Sequence, residues 1–278
     1  DFRDTHEHDP PGLVSPAVES APKPARHHWT FARIGLYMLL ASLPLLAISA
    51  QVFGVVPMNT TGALVIIPLA TSLAVLCVFA PHPIDRIVGH GLGWGMFACL
   101  AYDVFPLDTV YLLGLWGDFI PKMGTWLHSG TDTRTGAIVG YLWRYFGDGG
   151  GIGIAFFLVA LALGLQHRSS RTVLLAFVTF AVFPVWAGLI GTVALSDRGQ
   201  RDMFPLTPTT ITLSLIGHLI FGLVLGLVGV VFAFLYASLG EQDLLTWGWR
   251  YPFFVAFAIN VVALFAGLRL VVAEEYQD

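Results

Sequence analysis

From Ile34 to Ile84 the chain runs without a single Asp, Glu, Lys or Arg. Further uncharged runs follow at 172–196, 203–240 and 251–268. A hydrocarbon core about 30 Å thick is crossed by roughly 20 apolar residues at about 1.5 Å rise per residue. Backbone polar groups in lipid must bond within their own segment, so runs of this length read as helices. The chain reads as an all-α, polytopic helical bundle of the membrane.

Composition agrees. Hydrophobic residues make up 56% of the 278 and charged residues 12%, against about 25% charged in an ordinary soluble domain. Net charge is −4 without a dense basic block, which argues against nucleic acid as a partner and leaves the lipid bilayer and partner membrane subunits. Cys77 and Cys99 both lie in apolar runs and form no CxxC or Cys/His metal spacing. They read as small buried side chains.

Residues 1–28 differ from the rest. Asp1, Arg3, Asp4, Glu7 and Asp9 precede Pro10, Pro11, Pro16, Pro22 and Pro24, and so little apolar surface cannot offset ordering entropy. This is a polar, proline-rich arm, followed by one membrane domain over 29–278. His6, His8, His27 and His28 read as solvated. No cleavable signal is expected, because the first apolar run is too long for one.

Spans are expected at 34–56, 62–80, 87–106, 151–166, 172–195, 209–239 and 251–272. Residues 108–128 decide between seven and eight. Tyr111, Leu112, Leu113, Leu115 and Trp116 suit a membrane, whereas Asp118, Pro121 and Lys122 interrupt them. Residues 129–149, with Asp132, Arg134, Arg144 and Asp148, read as a loop or partly inserted segment. If 108–128 does not cross, basic residues are nearly balanced between the two sides. If it crosses, Lys23, Arg26, Arg33, Arg86, Arg134, Arg144, Arg198, Arg201 and Arg269 share one side. The other side keeps only Arg168, Arg171 and Arg250. The positive-inside rule then favours eight helices with both termini cytoplasmic in a bacterial inner membrane. Trp116, Trp126, Trp143, Trp247 and Trp249 fall near proposed span ends, where indoles favour the interface.

Ionisable groups inside lipid are candidates for function. His90 opens the third span and Asp103 stands near its other end. Asp118 and Lys122, four apart, would pair on one helix face, although Pro121 removes an amide between them. His218 sits well inside the seventh span. A broken helix with polar groups at mid-depth is how many secondary transporters build a substrate site. His90 and His218 together would suit bis-histidine haem, but satisfied histidines are the plainer reading, and no cofactor or metal is expected.

Two glycine patterns stand out besides. Gly147-Asp148-Gly149-Gly150-Gly151 lacks the strand, spacing and Gly-Lys-Ser/Thr ending of a phosphate loop and reads as a flexible start to the fifth span. Gly222 and Gly226 form a G-x-x-x-G face through which another helix can approach closely.

The strings Trp247-Gly248-Trp249-Arg250-Tyr251-Pro252-Phe253-Phe254, Leu268-Arg269-Leu270 and Glu274-Glu275 carry one family likeness. Residues 247–275 resemble the sixth helix of major facilitator metabolite–proton symporters. There a G-W-R-x-P-F start leads to an R-L-R-L-like cytoplasmic end. The likeness covers about a tenth of the chain, and Gly267 stands where that pattern often has a basic residue. The family's G-x-x-x-D-R-x-G-R-K loop is absent, and 278 residues cannot supply twelve helices. The likeness implies Arg250 outside and Arg269 inside.

The leading expectation is therefore a small-solute or ion permease, proton-coupled through Asp103, Asp118 or His218. The alternative is a non-catalytic integral subunit of a larger membrane complex, and a third is a haem-binding redox subunit. No constellation of an enzyme stands out.

Overall fold

The structure, a computed structural model, describes residues 27–238. The proposed arm and the span at 251–272 lie outside them, the former except for its last two residues. Among the described residues the chain is helical and contains no strand. Eight helices follow one another in these residues: α1 His27–Phe53, α2 Met58–Phe79, α3 Pro83–Pro106, α4 Ile120–His128, α5 Thr133–Ala162, α6 Ser170–Ala194, α7 Asp197–Asp202 and α8 Pro208–Ser238. Five stretches are long and apolar enough to cross a membrane: Thr30–Phe53, Met58–Phe79, Thr133–Ala162, Ser170–Ala194 and Pro208–Leu227. The protein is thus a membrane-embedded helical bundle, in which a span count of seven or eight is not reached by the described residues.

Each end of α1 is tied to a neighbour. Near its start, Arg33 donates from Nε and Nη2 to Asp85 of α3 at 2.8 and 2.6 Å, and from Nη1 to the Ala80 carbonyl at 2.8 Å. Tyr37 adds a hydroxyl bond to the same carboxylate at 2.8 Å. A buried guanidinium is tolerated because every face of it meets an acceptor. At the other end, Ser196 donates to the Val52 carbonyl at 2.9 Å, and the Arg198 guanidinium stands beside Gly54.

Those contacts correct the eight-span reading, which put Arg33 and Arg198 on one side. The length of α1 separates them. Residues 108–128 are not one helix: a wide π turn over Leu107–Leu112 ends α3, irregular backbone follows, and α4 starts only at Ile120. Pro121 explains the start, since a proline in the first helical turn removes an amide that has no partner there anyway.

Residues 129–149 are also corrected. Read as a loop or partly inserted segment, they are a turn only over 129–132, and 133–149 form the first half of α5, in which Thr133–Trp143, a π turn over Arg144–Gly149 and Gly150–Ala162 run on without interruption. Asp132 caps the start through the amides of Arg134 and Thr135. Ser129, in the left-handed region at φ 58°, turns the chain between α4 and α5.

The triple glycine is part of this continuous helix, not a hinge. A Cβ on Gly95 would stand 2.1 Å from the Gly149 carbonyl oxygen, and one on Gly153 at 2.1 Å from that of Gly91. Two G-x-x-x-G faces, Gly91/Gly95 on α3 and Gly149/Gly153 on α5, therefore press backbone against backbone. Lower down, Gly136 and Gly140 of α5 receive α4 in the same way, against Pro121 and Ile120. So α3 and then α4 descend end to end along the single rod of α5. The expected Gly222/Gly226 face is present: α8 packs it on Ala181, Val178, Phe177 and Leu174 of α6.

Candidate functional site

The stacked arrangement leaves a gap between α3 and α4, and a cavity of about 600 Å³ opens beside it. Its walls come from α1, α3, α5, α6 and α8, with Trp116 to Ile120 of the break and Met203 and Phe204 ahead of α8. Most of the lining is apolar. Four ionisable side chains, Asp103, Asp118, Arg144 and Asp148, join His218 on its surface.

Arg144 organises the polar wall. Its π turn lies about 16 Å along α5, at about 1.5 Å per residue, so the guanidinium is far from the helix end. It meets Asp103 of α3 with Nη2 at 2.5 Å and Nε at 2.7 Å from Oδ1, and its Cζ lies 4.7 Å from the centre of the Tyr102 ring. The opposite charge and the ring's negative face together hold a cation away from bulk water. Tyr102 also meets the His218 ring edge-on, with centroids 5.6 Å apart. Gly217 makes room, since a Cβ there would stand 2.3 Å from the Tyr102 ring. The Nδ1–H of His218 donates to the Ser214 carbonyl at 2.8 Å, because a carbonyl can only accept.

Asp118 is placed by the break. Tyr111 donates to its Oδ2 at 2.7 Å and Tyr141 at 3.0 Å, and the Ile120 amide donates to Oδ1 at 2.9 Å. The carboxylate thereby satisfies a free amide at the start of α4 while linking the break to α5. Trp116 donates to Thr109 at 2.9 Å, closing the irregular segment on itself. Rather than marking a span end, this indole lines the cavity.

Of the five side chains singled out from sequence, three meet at this cavity: Asp103, Asp118 and His218. The other two do not. Lys122 is exposed on α4 and makes no ion pair with Asp118 among the described residues, because Asp118 precedes the helix and the expected four-residue face never forms. His90 is exposed on α3 and is not part of the lining, so His90 and His218 do not face each other across it. Arg144 and Asp148 were hidden in the sequence by their place in a stretch read as a loop or partly inserted segment. A signal existed: Arg144 and Asp148 are four apart and continuous with the apolar run from Ile152.

Two acceptors at the site have no partner within hydrogen-bonding distance among the described residues, with the Trp143 indole N–H set toward Asp148 and the Tyr145 hydroxyl toward Asp103. Asp148 is only 9% exposed and its Oδ1 accepts no hydrogen bond; the Oδ2 of Asp103 is likewise buried and unmatched. No group of three or more metal-ligating side chains exists among the described residues. No known family, curated protein or solved structure matches this chain. The facilitator-like stretch at 247–275 lies outside the described residues.

Proposed function

We propose that the chain is a small-solute permease whose binding site is the cavity beside the break between α3 and α4. The observation that carries this reading is the coincidence of two features. The pair of helices laid end to end along α5 breaks at the wall of a cavity of about 600 Å³, where ionisable side chains collect. Intramembrane ionisable groups facing a cavity are candidates for solute and proton paths. A volume of about 600 Å³ also falls in the range of small-molecule sites.

Asp118 is the proton-coupling group in this reading. Both tyrosine hydroxyls donate to the same Oδ2, so a proton added there competes with them. Protonation then loosens the tie between the break and α5, and deprotonation restores it. Asp103 is held by Arg144 and serves to keep that cation at the wall.

The test is uptake into liposomes holding the purified protein, driven by a pH gradient, over a panel of small solutes. The wild type should accumulate a solute only with the gradient. Asp118→Asn should stay folded and lose the gradient dependence, since an amide keeps the shape but exchanges no proton. No uptake across the panel, together with a defined multi-protein assembly on native purification, would replace this reading by the integral-subunit one. A haem absorption band in the purified protein would replace it by the redox one.

A further inference from the structure

We infer that the cavity takes an organic cation, a primary or secondary ammonium carried on an apolar body, and that Asp148 is its anchor. This rests on the permease reading and names its substrate class. Three carboxylates, Asp103, Asp118 and Asp148, line the cavity against one guanidinium, that of Arg144. Arg144 is paired through Nε and Nη2 with Asp103. Asp118 is held by three donors. Asp148 is left with a buried oxygen that accepts nothing.

A buried carboxylate oxygen without a donor is costly, and a ligand that brings a donor and a positive charge recovers that cost. The second orphaned acceptor, Oδ2 of Asp103, belongs to the same level of the bundle. Asp148 adjoins Gly149, which abuts Cys99, and Asp103 lies one turn beyond Cys99 on α3. An ammonium carries up to three N–H donors, which matches two buried carboxylate oxygens without a partner at hydrogen-bonding distance.

The rest of the lining describes the remainder of the ligand. Leu45, Ile48, Ile152, Val185 and Phe221 offer no polar atoms. An inorganic ion would leave nearly all of the roughly 600 Å³ to water, at about 30 Å³ per molecule, most of it against apolar wall. An apolar body fills that volume, and the rings of Trp116, Tyr141 and Phe180 add faces on which a cation is favoured. Charge selects the head and the apolar wall selects the tail.

The experiment is calorimetric binding to the purified full chain in detergent. The probes are phenethylamine and a graded series of alkyl monoamines, beside 2-phenylethanol and 3-phenylpropanoate, which have similar bodies and a neutral or negative head. Amines should bind, with the alcohol and the carboxylate weaker by about tenfold or more, as loss of a charged hydrogen bond implies. Asp148→Asn should weaken the amine by about tenfold and leave the alcohol unchanged. Equal binding of amine and alcohol, no binding by any amine, or a response to sodium ions alone would overturn the inference. If Asp148→Asn does not fold, the wild-type head-group series decides by itself. Liposome uptake separates the two claims. Uptake of neutral or anionic solutes with no amine binding overturns the ammonium site and keeps the permease. Amine binding without transport of any amine does the reverse.

Discussion

Arg144 and Asp103, 41 positions apart, form a buried ion pair that joins α5 to α3 at the wall of the cavity. Their side chains are 15% and 13% exposed. Removing one partner leaves the other charge desolvated and unmatched. Asp103→Asn or Arg144→Met should each lower stability by about 3–5 kcal/mol. The joint replacement Asp103→Leu with Arg144→Met should recover most of that loss, because it leaves no stranded charge. Unfolding in detergent for the four proteins checks the cycle; a double variant as unstable as the singles would mean that the pair does not act as a unit.

The glycine seam between α3 and α5 predicts opposite effects at neighbouring glycines. Gly153→Ala places a methyl against the Gly91 backbone and should destabilise by about 1–3 kcal/mol or more, the usual cost of overpacking. A Cβ on Gly93 would meet nothing within 4 Å. Gly93→Ala should therefore be neutral or gain up to about 1 kcal/mol of helix propensity. Thermal unfolding of the two variants side by side is the measurement.

Sidedness is equally direct. Pro81 lies between α2 and α3, at the end of α1 that holds Arg33. Thr131 lies between α4 and α5, where Asn59 bonds Ser129 at 2.6 Å. Single cysteines at Pro81 and Thr131, with Cys77 and Cys99 replaced, should react with an impermeant thiol reagent from opposite sides. Labelling of both from one side would restore 108–128 as a separate crossing.

The cap of α5 carries a pH signature outside the membrane. Hydrogen bonds from Thr135 and Arg134 hold the Asp132 carboxyl below its ordinary value. Its folded pKa is depressed, so its contribution is complete above the unfolded value of about 3.9 and is lost as pH falls through the lower folded one. The stability gap between wild type and Asp132→Ala should thus be constant near neutrality and shrink below about pH 4. Asp132→Asn, whose amide oxygen still accepts, should show a gap that does not vary with pH.

The apolar helices were legible because charge is excluded from lipid whatever the tertiary structure. The expected runs at 34–56, 62–80, 172–195 and 209–239 overlap α1, α2, α6 and α8. The first half of α5 was not legible, because Arg144 looks like a loop residue until Asp103, on another helix, neutralises it. The break was visible in Asp118 and Pro121. Its arrangement was not, since the tyrosines that hold Asp118 come from either side of it in sequence, at Tyr111 and Tyr141. The glycines of Gly149 to Gly153 look flexible by composition and are rigid by contact, a distinction that only their partners on α3 supply. Within the site, Asp103, Asp118 and His218 were readable as ionisable groups in apolar surroundings, while Asp148 needed the fold.

In the permease reading the break between α3 and α4 opens on a water-accessible solute cavity. Gly117 lines that cavity and a Cβ there meets nothing within 4 Å, so Gly117→Cys should be accommodated. The direct measurement is its rate of reaction with a small water-soluble thiol reagent in liposomes, on a background lacking Cys77 and Cys99. Gly93→Cys, exposed on α3 and away from the cavity, is the reference. Gly117→Cys should react much faster than Gly93→Cys. Equal, slow reaction at both positions would contradict it.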